Sequence, residues 1–282
     1  MSDPRKHHYL PQWYLTRWAR PSVVWDFSRR GPMRTLTKRY RYPAQTGYEK
    51  HLYTIADATP ENAATIEKDF LQKIDDRGAK AIASAESGEG VGPQDKTGLV
   101  QFVLSLLHRT PDRIKWMEDR LRTDLEKHPY FEGVEPAVYR DAALWVMADL
   151  IQSEKVLSRF MSYSTFFITL GPAAYDLLTT DRPLLLSNGL EHDNAFVMVP
   201  VGPRRIMLLT KKQELANHIA IQDPKVFSKA INEALVVQAK ELVISSTGRE
   251  FNFVNERLGV EARKDEHPFD EKTGLVRWSI NP

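Results

Sequence analysis

The spacing of apolar and polar residues changes character twice along the chain. Near the N-terminus, residues 35–42 (TLTKRYRY) roughly alternate between apolar and polar, which is typical of a half-exposed strand. Residues 22–28 (SVVWDFS) and 51–55 (HLYTI) have a strand-like composition, and glycine-containing turn signals separate the three segments. We therefore predict a small antiparallel sheet in a basic strand region covering residues 1–58.

From residue 59 the apolar residues recur at helical spacing instead. Thr59 and Thr110 each precede a proline, a pairing that favours the start of a helix. The pattern predicts a central helical bundle over residues 59–162. The first expected helix starts at Thr59 and reaches Ala85, and the second carries the apolar stripe from Leu99 to Leu107. A third is expected near residues 111–127 and a fourth over about 136–161.

Strand patterns return in residues 163–282, where the two apolar runs AFVMVPVG and RRIMLLT flank a turn. Asp223 and Pro224 predict the start of a helix that packs against these strands. Because the strands and helices occur in separate blocks, we predict an α+β fold, formed as a single domain over residues 1–282.

Composition narrows the class of protein. Hydrophobic residues make up 42% of the chain, including 12 Phe, 10 Tyr and 6 Trp, which is enough for a sizeable core. The longest apolar runs are far too short to cross a bilayer, and the first residues do not resemble a signal peptide. There is no cysteine, so disulfides and thiolate chemistry are excluded. We expect a cytoplasmic protein that does not associate with membranes.

Positive charge is concentrated at the N-terminus. Residues 1–50 contain eleven Lys and Arg against three Asp and Glu, whereas the whole chain carries a net charge of only +2. Basic residues interleaved with Trp and Tyr are what a nucleic-acid surface needs, so residues 5–41 are a candidate interface. The alternative is a solvated hairpin whose charges prevent pairing at the sheet edge.

Several short motifs occur in a familiar order. They include His8-Tyr9 with Pro11, Tyr14 and Leu15, then Tyr53, Glu67, Arg109-Thr110-Pro111, Thr180-Asp181 with Pro183, and Ile231-Asn232 with Ala239. With these motifs the chain resembles the bacterial proteins grouped as the domain of unknown function 4238 family. The resemblance spans about residues 7–250 and supplies candidate residues, but it implies no reaction.

Among these candidates, His8 and Glu67 have side chains suited to catalysis or metal binding. Imidazole titrates near neutral pH, so His8 is a candidate general base or ligand; the alternative is a structural histidine bonded to a backbone carbonyl. Glu67 flanks an apolar helical stripe, where an unpaired carboxylate is costly. It is therefore either a catalytic or metal-binding group or one half of an ion pair, with Arg109 as one possible partner.

Arg109 and Thr110 lie where one predicted helix ends and the next begins. The guanidinium of Arg109 offers a bidentate clamp for a carboxylate or phosphate, and the N-terminus of the following helix also favours anions. We therefore predict that Arg109 and Thr110 bind substrate. The alternative for Arg109 is attraction to the carbonyl groups at the end of its own helix.

Asp181 lies in a proline-fixed turn beside a strand. It is a candidate catalytic carboxylate, or else it hydrogen-bonds turn amides. If His8, Glu67 and Asp181 converge, they form a mixed nitrogen and oxygen set suited to a divalent metal, Mg²⁺, Mn²⁺ or Zn²⁺. The spacing of these residues matches no known metal motif.

Three classes of function follow. The first is a metal-assisted hydrolase that acts on nucleic acid or another phosphate ester, with His8, Glu67 and Asp181 as catalytic residues. The second is a non-enzymatic module that binds nucleic acid or an acidic ligand. The third is a purely structural use of the shared residues.

Overall fold

The structure is a computed structural model that describes residues 5–30, 34–56, 58–59, 62–187 and 192–259. Its strands are β1 Lys6–His8, β2 Val24–Ser28, β3 Thr37–Arg41, β4 Tyr48–Lys50, β5 Ser164–Thr169, β6 Thr179–Thr180, β7 Leu185–Leu186, β8 Phe196–Gly202, β9 Arg205–Thr210 and β10 Leu242–Ser245. Its α-helices are α1 Gln12–Thr16, α2 Gln72–Ser87, α3 Pro93–His108, α4 Pro111–Leu125, α5 Pro136–Gln152, α6 Glu154–Phe160, α7 Gln213–Ala220, α8 Pro224–Gln238 and α9 Phe251–Arg257. A π-helical turn, Ile66–Leu71, leads directly into α2.

The fold is α+β, as predicted, and the chain divides into two compact units. Unit 1 contains Met1–Tyr9 and Tyr48–Phe160, and unit 2 contains Leu10–Gly47 and Met161–Pro282. The basic N-terminal region is thus divided, since Leu10–Gly47 joins the later strands in unit 2 whereas the residues on either side of this segment join the helices in unit 1.

Unit 1 is a helical bundle with a two-stranded antiparallel sheet formed by β1 and β4. Helices α2 and α3 approach closely because each has a glycine at the contact. A Cβ on Gly78 would lie 2.6 Å from Cγ of Phe102, and a Cβ on Gly98 would lie 2.8 Å from Cβ of Arg77. These distances leave no room for a larger residue without movement of the neighbours.

Unit 2 contains two four-stranded antiparallel sheets, ordered β3-β2-β10-β6 and β5-β9-β8-β7. Helices α7 and α8 contribute to the core of the second sheet, and α8 and α9 cover apolar residues of the first. Asp223 caps α8 as predicted, since its side chain accepts hydrogen bonds from the backbone N–H groups of Lys225 and Val226.

Some element boundaries predicted from the sequence are wrong. Residues 51–55 form turns and loop rather than a strand, because the strand ends at Lys50. The first helix of the bundle begins at Ile66, well after Thr59. The helix predicted for residues 136–161 is two helices that meet at Ser153, whose ψ of 116° is not helical.

Across the residues that the structure describes, no helix is both long enough and apolar enough to cross a bilayer.

Candidate functional site

The site in unit 1 is built around Arg109, which follows the last residue of α3. Its side chain is completely buried. Nε donates to the backbone oxygen of Tyr9 at 2.9 Å, and Nη1 lies 2.8 Å from Oδ1 of Asp75 on α2. Nη2 is buried and has no hydrogen-bond partner among the described residues. The guanidinium is therefore fixed on two sides, and the two N–H bonds of Nη2 remain for a further acceptor.

Glu67 and Asp75 bring two carboxylates into the electrostatic field of Arg109. Burial raises the pKa of Glu67 to about 7; the charge of Asp75 adds to the increase, while Arg109 and a hydrogen bond with the backbone of His8 oppose it. Burial also raises the pKa of Asp75 to about 6 against the opposing effect of Arg109. Both side chains are only partly exposed. At neutral pH, Glu67 therefore exchanges a proton easily.

The π-helical turn places Glu67 at this position. π-helical turns are rare and are frequently found at functional sites. Oε2 of Glu67 is buried and has no hydrogen-bond partner in the described part of the chain. The site thus contains an acceptor oxygen and a donor nitrogen, Nη2 of Arg109, that no described atom satisfies.

Tyr53 connects the N-terminal strand to Arg109. Its hydroxyl donates to the backbone oxygen of Arg109 at 2.8 Å, and its backbone N–H donates to Nδ1 of His7 at 2.8 Å. The two rings stack with their centroids 5.6 Å apart. Burial raises the pKa of the Tyr53 hydroxyl well above its usual value, so this group stays protonated. His7, which the sequence suggested to be a solvated neighbour, is instead buried and helps to position the loop.

His8 lies beside this network on β1. It is buried, and its ring packs against that of Tyr48 with centroids 5.5 Å apart. Its contribution to Glu67 comes from its backbone, through the hydrogen bond that lowers the pKa of the carboxyl. The structure therefore brings His8, Glu67 and Arg109 into one unit.

Thr110 is the N-cap residue of α4 and follows Arg109 directly. Its backbone oxygen accepts hydrogen bonds from the N–H groups of Arg113 and Ile114, and its side chain makes no capping hydrogen bond. The neighbouring His108 has its pKa lowered to about 4 by burial and by Arg113, so it is neutral at neutral pH. The helix boundary predicted from the sequence is confirmed at this position.

Comparison with known proteins gives one match. The family model described as "Protein of unknown function (DUF4238)" matches residues 6–249. The chain belongs to this family. No curated protein and no solved structure matches it. The motifs that suggested the resemblance, from His8 to Asn232, all lie inside the matched part of this DUF4238 chain.

In the DUF4238 chain, Asp181 belongs to unit 2 rather than unit 1. Its carboxylate accepts hydrogen bonds from three consecutive backbone N–H groups, those of Lys240, Glu241 and Leu242, at 3.0, 2.7 and 3.2 Å. Asp181 thereby holds the connection between α8 and β10. This geometry corresponds to the turn-binding alternative for this residue.

Asn232 also holds unit 2 together. Its Oδ1 accepts from the backbone N–H of Leu178 at 2.8 Å, and its Nδ2 donates to the backbone oxygen of Asp176 at 2.9 Å. The oxygen and the nitrogen of this side-chain amide thus both hold the backbone of the residues that precede β6.

Side chains that can bind a metal ion do not cluster in the part of the chain that is described. No group of three or more His, Asp or Glu residues has an arrangement suited to a metal ion within these ranges. The two carboxylates of unit 1 are arranged instead around the positive charge of Arg109.

Sequence reasoning missed Asp75, the ion-pair partner of Arg109. A signal for it exists, since Asp75 follows Ile74 just as Glu67 follows Ile66, so each carboxylate flanks a buried position. Two carboxylates eight residues apart therefore border the same apolar stripe. The π-helical turn had no recognisable signal in the sequence.

Proposed function

We propose that unit 1 carries an acid–base site that hydrolyses a phosphate ester. The observation that carries the proposal is the pair of unsatisfied buried atoms, Oε2 of Glu67 and Nη2 of Arg109, within one electrostatically coupled cluster. Buried polar atoms without partners call for a ligand, a water molecule or a catalytic role. A bound substrate and its attacking water together satisfy both atoms, because the water donates to the carboxylate and an ester oxygen accepts from the guanidinium.

In this mechanism Glu67 is the general base. Its pKa of about 7 is well matched to proton transfer at neutral pH. The carboxylate takes a proton from water while the water oxygen bonds to phosphorus. The bond from phosphorus to the leaving oxygen breaks, and protonated Glu67 returns the proton to that oxygen, so that an ester and water give an acid and an alcohol.

Arg109 binds the anionic phosphoryl group. Asp75 and the backbone oxygen of Tyr9 hold the guanidinium in place, so that little reorganisation is needed as charge develops during the reaction. An arginine fixed in this way favours a planar or tetrahedral oxyanion over a neutral substrate. This supports the assignment of Arg109 to substrate binding, with Thr110 beside it at the start of α4.

The sequence also predicts a metal-assisted form of the reaction, with His8, Glu67 and Asp181 as ligands to Mg²⁺, Mn²⁺ or Zn²⁺, but Asp181 belongs to unit 2 and its carboxylate binds three backbone N–H groups there. The acid–base form is favoured because it uses only residues that unit 1 brings together. Treatment with EDTA separates the two forms. We expect the rate to be unchanged by EDTA, whereas a rate that depends on an added divalent metal would support the metal-assisted form.

The test is hydrolysis of bis(p-nitrophenyl) phosphate by the purified chain, with p-nitrophenyl acetate as the uncharged comparison. We expect Glu67→Gln to lower kcat by about 10²-fold or more. The pH profile of kcat/KM for the wild type should rise near pH 7, and this rise should be lost in the variant. Asp69→Asn is the matched control, because Asp69 is exposed on the same π-helical turn.

Arg109→Lys keeps the positive charge but loses the planar guanidinium group and its paired N–H donors. We expect it to raise KM for the phosphate ester much more than for the acetate, after correction for the folded fraction. If the folded wild type hydrolyses neither ester, or if Glu67→Gln retains full activity, the network around Arg109 is purely structural.

A further inference from the structure

The outer edge of the first sheet in unit 2 carries an unusual set of side chains. Strand β3 is the outermost strand of the order β3-β2-β10-β6. Lys38, Arg39 and Arg41 supply three positive charges within it, and Tyr40 and the adjacent Tyr42 are 63% and 55% exposed. We call these five residues, 38–42, the cationic edge.

The charges of the cationic edge are not neutralised locally. Within the described ranges, none of Lys38, Arg39 and Arg41 forms an ion pair with a carboxylate, and Nε of Arg41 is buried without a hydrogen-bond partner. Asp26, the acidic residue opposite Arg39 in the register, is buried and accepts from Oγ1 of Thr46 at 2.5 Å. The edge therefore offers an anionic partner three cations that form no ion pair within these ranges.

The ring of Tyr40 is held in place by Trp25 on the neighbouring strand. Tyr40 lies opposite Trp25 in the register, and the two rings are 3.7 Å apart between centroids. Nζ of Lys38 lies 4.3 Å from the Trp25 ring. The backbone of Gly248 packs directly on the same indole, since a Cβ there would lie 2.3 Å from Cδ2 of Trp25. Tyr40 is thus an exposed ring on a rigid support.

We propose that single-stranded nucleic acid lies along the free edge of β3, with a base stacked on Tyr40 on one face of the strand and phosphates in contact with Arg39 and Arg41 on the other face. Lys38 shares the face of Tyr40, and Arg39 and Arg41 flank the same free edge from the opposite face. Proteins that bind single strands without reading their sequence combine exposed aromatic rings with cations. This proposal concerns a surface of unit 2 and does not depend on the acid–base site of unit 1. It narrows the nucleic-acid interface predicted for residues 5–41, of which residues 31–33 lie outside the described part.

Two other occupants fit the observations less well. A second copy of the chain, paired through β3, would bring Lys and Arg side chains close to Lys and Arg of its partner, which disfavours edge pairing. An acidic peptide would satisfy the charges and the free strand edge but would make no use of the exposed ring of Tyr40. A nucleic acid uses both the rings and the charges.

The test is fluorescence anisotropy of the full chain with labelled oligo(dT), oligo(U), duplex DNA and oligoglutamate, all of similar length. We expect the single strands to bind most tightly. Tyr40→Ala should weaken their binding about tenfold or more, and Tyr40→Phe should retain it. Tyr130→Ala is the matched control, because Tyr130 is 95% exposed in unit 1, and it should leave the affinity unchanged.

The phosphate contacts are tested by salt dependence. We expect the double variant Arg39→Gln with Arg41→Gln to reduce the slope of log affinity against log salt by about 1.4, since each single-strand phosphate contact contributes about 0.7. The control is Arg120→Gln with Arg122→Gln, two arginines of α4 that each pair with an aspartate. Their removal should leave the slope unchanged.

The proposal is overturned if no single strand binds, if oligoglutamate binds as tightly as oligo(dT), or if Tyr40→Ala binds like the wild type while its melting temperature is unchanged. A concentration-dependent dimer that is lost in the arginine double variant would assign the edge to self-association instead. Glu67→Gln should bind oligo(dT) normally, so a failure of the hydrolase proposal leaves this test intact.

Discussion

The raised pKa of Glu67 predicts a specific dependence of stability on pH. In the unfolded chain the carboxyl titrates near the ordinary glutamate pKa of 4.5, whereas in the folded chain its pKa is about 7. Between these two values the folded state binds more protons than the unfolded state. The free energy of unfolding therefore falls as the pH rises through this window, and the penalty is complete above pH 7.

The magnitude follows from the size of the shift. One pKa unit corresponds to about 1.36 kcal/mol, so the shift of Glu67 amounts to about 3 kcal/mol at most, and less in so far as the side chain reaches solvent. Glu67→Gln removes this titration and keeps the shape of the side chain. At each pH we take the difference in free energy of unfolding between Glu67→Gln and the wild type. We expect this difference to be larger above pH 7 than at pH 4.5, in favour of the variant, by up to about 3 kcal/mol.

Urea unfolding at a series of pH values measures this difference. Comparing each variant with the wild type at the same pH cancels the titration of all groups that the two proteins share. Asp69→Asn, at an exposed position on the same turn, is the control for replacing a carboxyl group with an amide at this end of the helix. If plots of the free energy of unfolding against pH run parallel for Glu67→Gln and the wild type from pH 4.5 to above 7, our inference that folding desolvates the carboxyl of Glu67 is wrong.

Three further outcomes test the packing and hydrogen bonds described above. Arg109→Met should cost about 3–5 kcal/mol in urea unfolding because it leaves the carboxylate of Asp75 uncompensated, and adding Asp75→Asn should restore part of the loss. Asp181→Ala should lower stability by about 3 kcal/mol because three backbone N–H groups lose their acceptor, and full activity per folded molecule would remove Asp181 from the catalytic residues. Gly78→Ala should lower the melting temperature, by a loss of about 1–3 kcal/mol, because its Cβ would meet the Phe102 ring; an unchanged melting temperature would contradict the close approach of α2 and α3.

The elements with strong local patterns were predictable from the sequence. Helices α3 and α4 and the hairpin of β8 and β9 follow from apolar periodicity and from proline and glycine signals, which act within a few residues. The cap of α8 at Asp223 is equally local. The α+β class follows from the order of these blocks along the chain, and the family membership follows from the order of the motifs.

The tertiary structure alone decided which of these residues meet. Arg109 bonds Tyr9, which lies a hundred residues earlier, and pairs with Asp75. Strand β2 pairs with β10 from the far end of the chain. Periodicity specifies which face of an element is buried but not which partner covers it, because that choice depends on contacts between distant segments. The same limit applies to the pKa of Glu67, since burial and the neighbouring charges that shift it arise only when the chain folds.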